Sequence, residues 1–360
     1  MSASFSIDKA REVRAGESLN INQLNNYLKT QNVDIEEVVE VFQFPGGYSN
    51  LTYLLKTATK EYILRRPPVG AKDIIGGHDM GREYKILKAL EDAHFRQIPK
   101  PIILVEDEAV LGCTFYIMER VQGVILRAKD ATILTENASP TEIRQLSESL
   151  CDNLVALHSI DIETTGLIAI GKPEGYIQRQ VDGWYKRYQY AQTDEVKAMD
   201  ELAAWLQANI PAENKPALIH NDYKYDNVVL NPKNLTEILA ILDWEMTTVG
   251  DPLMDLGTTL SYWAEENDGD FEKGFNLSWV KGNLTRQEFA NRYAEKSGRD
   301  ISNILFYYVF GLFKNAVIIQ QIYSRYKKGL TQDPRFASLL FGVKALSKKA
   351  TKSVETNEMK

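Results

Sequence analysis

Cysteine is scarce in this chain of 360 residues, which contains only Cys113 and Cys151. Two cysteines cannot build a disulfide framework, and these two do not stand at a metal-binding spacing. Both lie in apolar surroundings, so we expect buried, unreactive thiols. The cysteine pattern therefore excludes a small disulfide-stabilised fold and a cysteine-rich zinc site.

The chain also lacks an excess of positive charge. Its formal net charge is −7 at pH 7, from 42 Lys and Arg residues against 49 Asp and Glu residues. A nucleic-acid-binding protein usually carries a basic surface, so we expect no nucleic-acid partner. Because salt screens charges over a distance of about 8 Å, any phosphate group that binds here must rely on local cations.

No segment has the pattern of a signal peptide or of a membrane span. The N-terminal residues 1–9 contain no apolar signal region. The longest apolar stretch, residues 304–319, is interrupted by Lys314 and Asn315, which indicates a helix buried in a protein core. We therefore expect a soluble, cytoplasmic protein with no membrane partner.

The spacing of apolar residues changes along the chain. A short helical pattern over residues 21–28 precedes a β-rich region. In that region we predict one helix over residues 79–92, and strands near residues 38–44, 51–57, 61–66, 102–106 and 113–121. This order of elements requires a largely antiparallel sheet.

Helical patterns dominate after a shift in composition near Gly123. Ser139 and Pro140 are typical of a helix start, and further helices are predicted near residues 176–192, 194–209, 253–265, 286–297 and 301–328. The polar residues after Lys348 predict a frayed C-terminus. Because the chain is long for a single core, we expect two units, residues 1–121 and 122–360.

The most informative motif is LIHNDYKYDN at residues 218–227, which contains the pattern H-x-D-x-K-x-x-N. In kinase catalytic loops, an Asp at the position of Asp222 accepts the proton of a hydroxyl group. An Asn at the position of Asn227 binds a metal ion in those loops. Either residue alone would be interpreted as a turn former. The joint pattern predicts a phosphoryl-transfer site with Asp222 as the general base.

Two apolar runs after this motif predict a β-hairpin that brings a second carboxylate to the site. Residues 228–230 and 238–242 form the strands, and residues 231–234 have turn composition. The residue before the first strand of an antiparallel hairpin lies near the residue after the second, so we expect Asn227 beside Asp243. Mg²⁺ prefers oxygen ligands and substrate phosphates. The hairpin therefore predicts a Mg²⁺ site at these two residues.

With these motifs the chain resembles the aminoglycoside phosphotransferase-like family of small-molecule kinases, and most of all the branch related to the kinase-like domain fused to acyl-CoA dehydrogenases. The resemblance spans about residues 20–345 and includes FPGGYSNLTY, YILRRPP, GREYKIL, FYIMERVQG, LHSID, LDWE and GDPLMD. It implies an α+β, bilobal protein-kinase-like fold, with an antiparallel sheet plus helix in the N-lobe and a larger, mainly helical C-lobe. It also implies ATP as phosphoryl donor and a small-molecule hydroxyl acceptor.

The resemblance also implies roles for residues of the nucleotide site. The loop that contains Ser49 and Asn50 would cover the phosphates of ATP, although a plain hairpin turn would have a similar sequence. The backbones of Glu119 and Val121 would contact adenine, in a segment that could otherwise be an ordinary strand end.

Charged residues extend this predicted site. Arg65 ends the third strand, where kinases have a lysine that pairs with phosphates and with a glutamate of the next helix. Glu83 is the expected partner, and Arg66 is the alternative to Arg65, since a shift of one residue exchanges the faces of a strand. Lys224 is expected to neutralise charge on the γ-phosphate, and a solvated lysine is the alternative. By analogy with kinases, Asp255 would accept backbone hydrogen bonds from residues 218–227, which we call the catalytic loop.

Three other titratable residues near these motifs receive non-catalytic interpretations. His220 is expected to fix the catalytic loop, because Asp222 is the better base. His158 lies at the end of an apolar helix and is interpreted as a core histidine. Asp226 is either a turn former or a third acidic group.

The acceptor site is less defined by the sequence. The helix near residues 175–188 is rich in aromatic and basic groups, so Arg179, Trp184 and Arg187 are candidates either for one wall of the acceptor cleft or for packing between helices. The acidic run at residues 265–270 is interpreted as a solvated loop and not as a site for polycationic aminoglycosides. The resemblance favours a hydroxyl-bearing metabolite, and a hydroxyacyl thioester is one candidate.

The sequence leaves other functions open. A pseudokinase that binds nucleotide and acts as a scaffold would not need Asp222, Asn227 and Asp243 together. An aminoglycoside-type antibiotic kinase is a second alternative. A protein kinase is disfavoured, because the D-F-G and A-P-E motifs are replaced by the sequence DWE and no activation segment is recognisable.

Overall fold

A five-stranded antiparallel sheet forms the first part of the molecule. The structure is a computed structural model that describes residues 5–45, 50–68, 79–331 and 333–360. The sheet confirms the predicted antiparallel arrangement, and its strands pair in the order β1-β2-β3-β5-β4. Two longer helices and a short one accompany it. These elements are α1 (Ile21–Thr30), β1 (Glu40–Gln43), β2 (Leu51–Lys56), β3 (Glu61–Arg66), α2 (Met80–Asp92), β4 (Pro101–Val105), α3 (Glu108–Leu111) and β5 (Phe115–Glu119).

The two faces of this sheet bury different apolar clusters, because successive side chains of a strand point to opposite faces. Leu64 of β3 belongs to the cluster that includes the buried apolar residues of α1. Ile63 belongs to the cluster that includes the buried apolar residues of α2. Arg65 is two residues after Ile63 and therefore shares its face of the strand, on the α2 side. Arg66 is two residues after Leu64 and lies on the opposite face.

Helices form most of the chain after the sheet. The apolar patterns predict the positions of six of these helices, namely α5 to α8, α10 and α11, but not those of α4, α9 or α12. The elements are α4 (Ala131–Asn137), α5 (Pro140–His158), α6 (Tyr176–Ala191), α7 (Lys197–Ala208), β6 (Ala217–Ile219), β7 (Val228–Asn231), β8 (Asn234–Ile241), β9 (Thr248–Gly250), α8 (Pro252–Tyr262), α9 (Asp270–Lys273), α10 (Arg286–Ser297), α11 (Ile304–Lys327) and α12 (Leu339–Thr356).

The C-terminal segment is helical, and the prediction that it frays after Lys348 is wrong. Helix α12 continues beyond this residue, and its apolar residues Val343, Leu346 and Ala350 are buried. The hydroxyl of Tyr308 in α11 donates a hydrogen bond of 2.6 Å to the carbonyl of the last residue. The polar composition conceals an apolar stripe at helical spacing, and this stripe packs on α11.

Helix α11 is the central helix of the second part of the chain. It is long and apolar enough to cross a membrane by length and composition, but 83% of its apolar window is buried inside the molecule. A Cβ atom at Gly257 of α8 would overlap the backbone of Tyr307, and one at Gly311 would overlap the Gly257 carbonyl. The two helices therefore cross in close backbone contact, which confirms the prediction of a buried helix.

The two cysteines differ in their burial. Cys151 is fully buried, and burial raises the pKa of its thiol, as expected for an unreactive cysteine. Cys113 is only half-buried, in the bend between α3 and β5. The prediction of buried thiols is therefore correct for Cys151 and wrong for Cys113, because apolar neighbours in sequence do not ensure burial in a bend.

The chain passes from the sheet to the helices at Gly123. The next residue, Val124, forms two backbone hydrogen bonds of 2.9 and 2.8 Å with Leu230 of β7. A Cβ atom at Gly123 would overlap the carbonyl oxygen of Leu230, so this close approach requires glycine. The division into units at residues 121 and 122 stays a prediction.

Candidate active site

The predicted hairpin of β7 and β8 brings two candidate metal ligands to neighbouring positions. Val228 pairs with Ile241, and the amide of Leu242 donates a hydrogen bond of 2.8 Å to the carbonyl of Asn227. Asp243 therefore follows directly after a residue that is hydrogen-bonded to Asn227. The φ angle of Asp243 is 67°, in the left-handed region that few residues other than glycine adopt. The backbone consequently turns sharply at this carboxylate.

Asp222, Lys224 and Asn227 form a compact polar group in the catalytic loop. Lys224 Nζ lies 2.8 and 3.0 Å from the two carboxylate oxygens of Asp222. The amide nitrogen of Asn227 donates to Asp222 Oδ2 at 2.7 Å. Burial would raise the pKa of Asp222, but the Lys224 ammonium lowers it below the ordinary value, so the carboxylate is ionised at neutral pH.

Asp255 fixes the backbone of the same loop. Its carboxylate accepts hydrogen bonds from the amide of His220 at 2.6 Å and from the amide of Asn221 at 2.7 Å. His158 Nε2 lies 3.1 Å from the same carboxylate, and His220 Nε2 lies 2.9 Å from the Leu242 carbonyl. These contacts confirm Asp255 as the anchor of the loop and both histidines as structural residues.

A second polar group connects the sheet to Asp243. Arg65 Nη2 lies 3.1 Å from Asp243 Oδ1, and Arg65 Nε lies 3.6 Å from Glu83 Oε2. The amide nitrogen of Asn50 donates to Glu83 at 3.1 Å and to Glu245 at 2.9 Å. Arg65 is 11% exposed and Glu83 is 2% exposed, so their charges interact with little screening by water.

This pairing settles the choice between the two arginines. Glu83 pairs with Arg65, and it also accepts a hydrogen bond of 2.9 Å from the hydroxyl of Tyr116. Arg66, on the other face of β3, donates to the carbonyl of Pro67. Burial raises the pKa of Glu83, and Arg65 only partly offsets this effect. Burial acts against the charge of Arg65 as well, but Glu83 raises the pKa of Arg65 above its ordinary value.

Within the part of the chain that the structure describes, the remaining residues of the predicted nucleotide site have no shown contact with the two polar groups around Asp222 and Asp243. Ser49 lies outside the described residues. Glu119 is the exposed last residue of β5, and its amide donates to the carbonyl of Lys100 at 2.9 Å, while Val121 is half-buried in the following link. Within the described residues, no hydrogen bond or ion pair connects Glu119 or Val121 to Asp222 or to Asp243. Their contact with adenine stays a prediction.

The donor groups near the hairpin fit Mg²⁺ better than a metal ion enclosed by protein ligands. The described ranges contain no cluster of three or more His, Cys, Asp or Glu side chains that could bind a metal ion. Asn227 uses its amide nitrogen to bind Asp222, so its amide oxygen and the carboxylate of Asp243 are the candidate ligands. Mg²⁺ commonly takes one or two protein ligands and completes its shell with water and substrate phosphates.

Comparison with known families identifies a family of phosphotransferases whose model covers these polar groups. The model of the phosphotransferase enzyme family matches residues 40–289. The chain belongs to this family. It is 36% identical over 310 residues to acyl-CoA dehydrogenase family member 11 of Rattus norvegicus, an alignment that covers 85% of this chain and 39% of the relative. The chain thus spans about two fifths of the length of this relative, and the predicted relationship to acyl-CoA dehydrogenase family proteins is confirmed.

Solved structures confirm the predicted fold class of this phosphotransferase family member. A putative aminoglycoside phosphotransferase from Ralstonia eutropha JMP134 superposes with a TM-score of 0.81 at 29% identity, over 94% of this chain and 99% of that chain. Spectinomycin phosphotransferase, solved with ADP and spectinomycin, has a TM-score of 0.56 at 15% identity, over 91% of this chain and 94% of that chain. The second likeness shows the fold alone.

A cavity of about 320 Å³ lies beside the catalytic loop of this phosphotransferase family member. The predicted residues Arg179, Trp184 and Arg187 of α6 line it together, and the guanidinium of Arg187 lies 4.8 Å from the centre of the Trp184 ring. Asn221 of the catalytic loop and Lys314 of α11 also line it. The cavity therefore combines the α6 residues with a residue of the catalytic loop and a buried lysine of α11.

The acidic run at residues 265–270 does not converge on a ligand site. Arg286, which is 4% exposed, pairs with Glu265 at 3.2 Å and with Asp268 at 2.6 Å. Lys349 also pairs with Asp268. The interpretation as a solvated loop is therefore wrong for these two acidic residues, because a buried arginine from α10 uses them as structural partners.

The sequence analysis misses two residues of the site, Lys314 and Glu245, and only Lys314 carries a signal in the sequence. Lys314 interrupts an apolar helix, and a charge at such a position is a signal of either function or a specific partner. Glu245 lies next to Asp243 in the DWE sequence, but its contacts with Asn50 and Arg65 depend on the fold. No local signal distinguishes it from an exposed glutamate.

Proposed function

We propose that this protein transfers the γ-phosphate of ATP, in the presence of Mg²⁺, to a hydroxyl group of a small molecule. Membership of the phosphotransferase family supports phosphoryl transfer in general. The observation that carries the proposal is the position of the Asp222 side chain, which is bonded to Lys224 and Asn227 beside a hairpin that also delivers Asp243.

Asp222 would be the base that accepts the proton of the attacking hydroxyl. Its low pKa allows it to accept a hydrogen bond from the alcohol at neutral pH, and a positioned general base contributes roughly 10²–10⁴-fold to a rate. Lys224 contacts Asp222 and lies 4.6 Å from the centre of the Tyr262 ring. Its ammonium would neutralise charge on the phosphoryl group during transfer.

The nucleotide would bind on the other side of Asp243, next to the sheet. Asn227 and Asp243 would bind Mg²⁺, which supplies positive charge to the phosphates when it is present. Arg65, Glu83 and the loop with Ser49 and Asn50 would position the phosphates. The presence of ADP in the solved spectinomycin phosphotransferase supports an adenine nucleotide as donor.

The acceptor would be a hydroxyl-bearing metabolite, with a hydroxyacyl thioester as one candidate. The similarity to acyl-CoA dehydrogenase family member 11 supports this class. The acidic run gives no support to an aminoglycoside acceptor, because Glu265 and Asp268 are paired with Arg286.

A transfer assay tests this proposal. The protein is incubated with γ-labelled ATP and Mg²⁺ against hydroxyacyl thioesters, amino sugars and amino alcohols. We expect Mg²⁺-dependent transfer of label to a hydroxyl compound of one class. If ATP raises the melting temperature of the protein but no label reaches any acceptor, the protein is a nucleotide-binding scaffold and the proposal is wrong.

A further inference from the structure

Lys314 is a buried lysine in α11 whose ammonium group lies beside the catalytic loop. The residue is 2% exposed, and Nζ donates a hydrogen bond of 2.8 Å to the carbonyl of Asn221, the residue before Asp222. Among the described residues, no carboxylate forms an ion pair with it. A buried charge without a counter-ion destabilises a fold. Packing alone therefore does not explain a cation at this position.

The cavity that Lys314 lines is also cationic. Lys314 lines the 320 Å³ cavity together with Lys172, Arg179 and Arg187, and no Asp or Glu is among the described residues that line it. The Trp184 ring, centred 5.9 Å from Lys314 Nζ, supplies an apolar wall. Four cations without an acidic residue would repel a polycationic amino sugar and attract an anion.

Burial lowers the pKa of Lys314 to about 8, and the negative charges of Asp222 and Asp255 offset only part of this effect. The ammonium is still mainly charged at neutral pH. An anion in the cavity would supply the missing counter-charge and would raise this pKa again.

We infer that this cavity binds an anionic group of the acceptor, a carboxylate or a phosphate, with Lys314 as its buried counter-ion. The inference rests on the proposed function, because it assigns the cavity to the molecule whose hydroxyl reaches Asp222. The location supports the acceptor over ATP. The cavity is lined by α6, α11 and the catalytic loop, whereas Arg65 and Asn50 of the candidate nucleotide site belong to the sheet region.

The test compares acceptors with and without an anionic group. Label transfer from γ-labelled ATP is measured for β-hydroxybutyrate against its amide, and for glycerol phosphate against glycerol, with ethanolamine as the cationic member. We expect wild type to prefer the anionic member of at least one pair by about tenfold or more in kcat/KM. The carboxylate pair and the phosphate pair distinguish the two kinds of anion.

Two variants examine Lys314 itself. In Lys314→Met the preference for the anion should fall to about one, mainly through KM, because the counter-charge is lost. Lys314→Gln retains a donor for the Asn221 carbonyl without the charge and should lose the same preference. Lys327→Met, an exposed lysine of the same helix, should behave as wild type.

A binding experiment separates this inference from the proposed function. The same anions are titrated without ATP or Mg²⁺ while tryptophan fluorescence is recorded. Saturable binding that is lost in both Lys314 variants but retained in Lys327→Met supports the anion site, even if no label is ever transferred. Equal kcat/KM values for anionic and neutral acceptors, or binding that is unchanged in both Lys314 variants, would overturn the inference and leave the phosphotransferase proposal intact.

Discussion

The guanidinium of Arg65 lies 3.1 Å from the carboxylate of Asp243, although 178 residues separate them in the sequence. The same guanidinium lies 3.6 Å from Glu83 of α2. A planar guanidinium can contact two carboxylates at once, whereas an ammonium is a point charge. One side chain of β3 therefore connects the sheet, α2 and the candidate metal ligand.

We predict that Arg65→Met destabilises the protein by about 3–5 kcal/mol, because it leaves the buried carboxylate of Glu83 without its counter-ion. Urea unfolding at neutral pH measures the loss. The double variant Arg65→Met/Glu83→Gln is the control and should regain most of the stability, since the unpaired charge is removed. A double variant as unstable as the single one would show that Glu83 is not the cause.

Asp243→Ala should weaken the Mg²⁺ dependence of nucleotide binding, because the candidate carboxylate ligand is removed. The shift in melting temperature with ATP is measured across a Mg²⁺ titration. Glu245→Gln is the matched control, since Glu245 also contacts Arg65 and Asn50 but has no proposed metal role. Identical Mg²⁺ titrations for wild type and Asp243→Ala would exclude Asp243 as a ligand.

Asp255→Asn should lower the free energy of unfolding at pH 7 by about 1–3 kcal/mol, because two backbone amides of the catalytic loop lose a charged acceptor. Burial would raise the pKa of Asp255, but the hydrogen bond from His158 keeps it below the ordinary value. The stabilisation is therefore present above the unfolded-state pKa of about 3.9 and is lost as the pH falls below it. Unfolding curves of both proteins between neutral and acid pH measure this; a difference that grows toward acid pH would contradict the anchor role.

Lys314 should also make the free energy of unfolding rise with pH, but in the alkaline range and because its buried charge is lost. Its pKa is 10.5 ordinarily and about 8 in the folded protein, so the unfolded chain binds the proton more strongly. Wild type should therefore gain up to about 3 kcal/mol relative to Lys314→Met as the pH rises from about 8 to about 10.5. Urea unfolding over this range measures the difference, and Lys327→Met should show no such trend. A difference that does not change with pH would mean that Lys314 is not buried as a cation.

The sequence predicts the parts of the site that depend on local spacing. The catalytic loop, the hairpin and the position of Asp243 lie within one short stretch of chain, so turn composition and strand length define them. The fold class followed from resemblance over most of the chain. The anchor role of Asp255 was also predictable, because kinases share it.

Contacts that depend on tertiary packing could not be predicted. The choice between Arg65 and Arg66 depends on which face of β3 packs against α2, and only the folded sheet shows this. Lys314 contacts Asn221 across 93 residues of sequence, and nothing near either residue indicates the other. The apolar stripe of α12 is difficult to recognise because the residues after Lys348 are mostly polar.

The central claim is most directly tested by the rate of label transfer from γ-labelled ATP in wild type and in Asp222→Asn, each with its ATP affinity measured alongside. The account predicts that ATP affinity stays within about twofold and that turnover falls at least about a hundredfold, because the carboxylate that accepts the hydroxyl proton is lost. Unchanged turnover in Asp222→Asn would contradict the account.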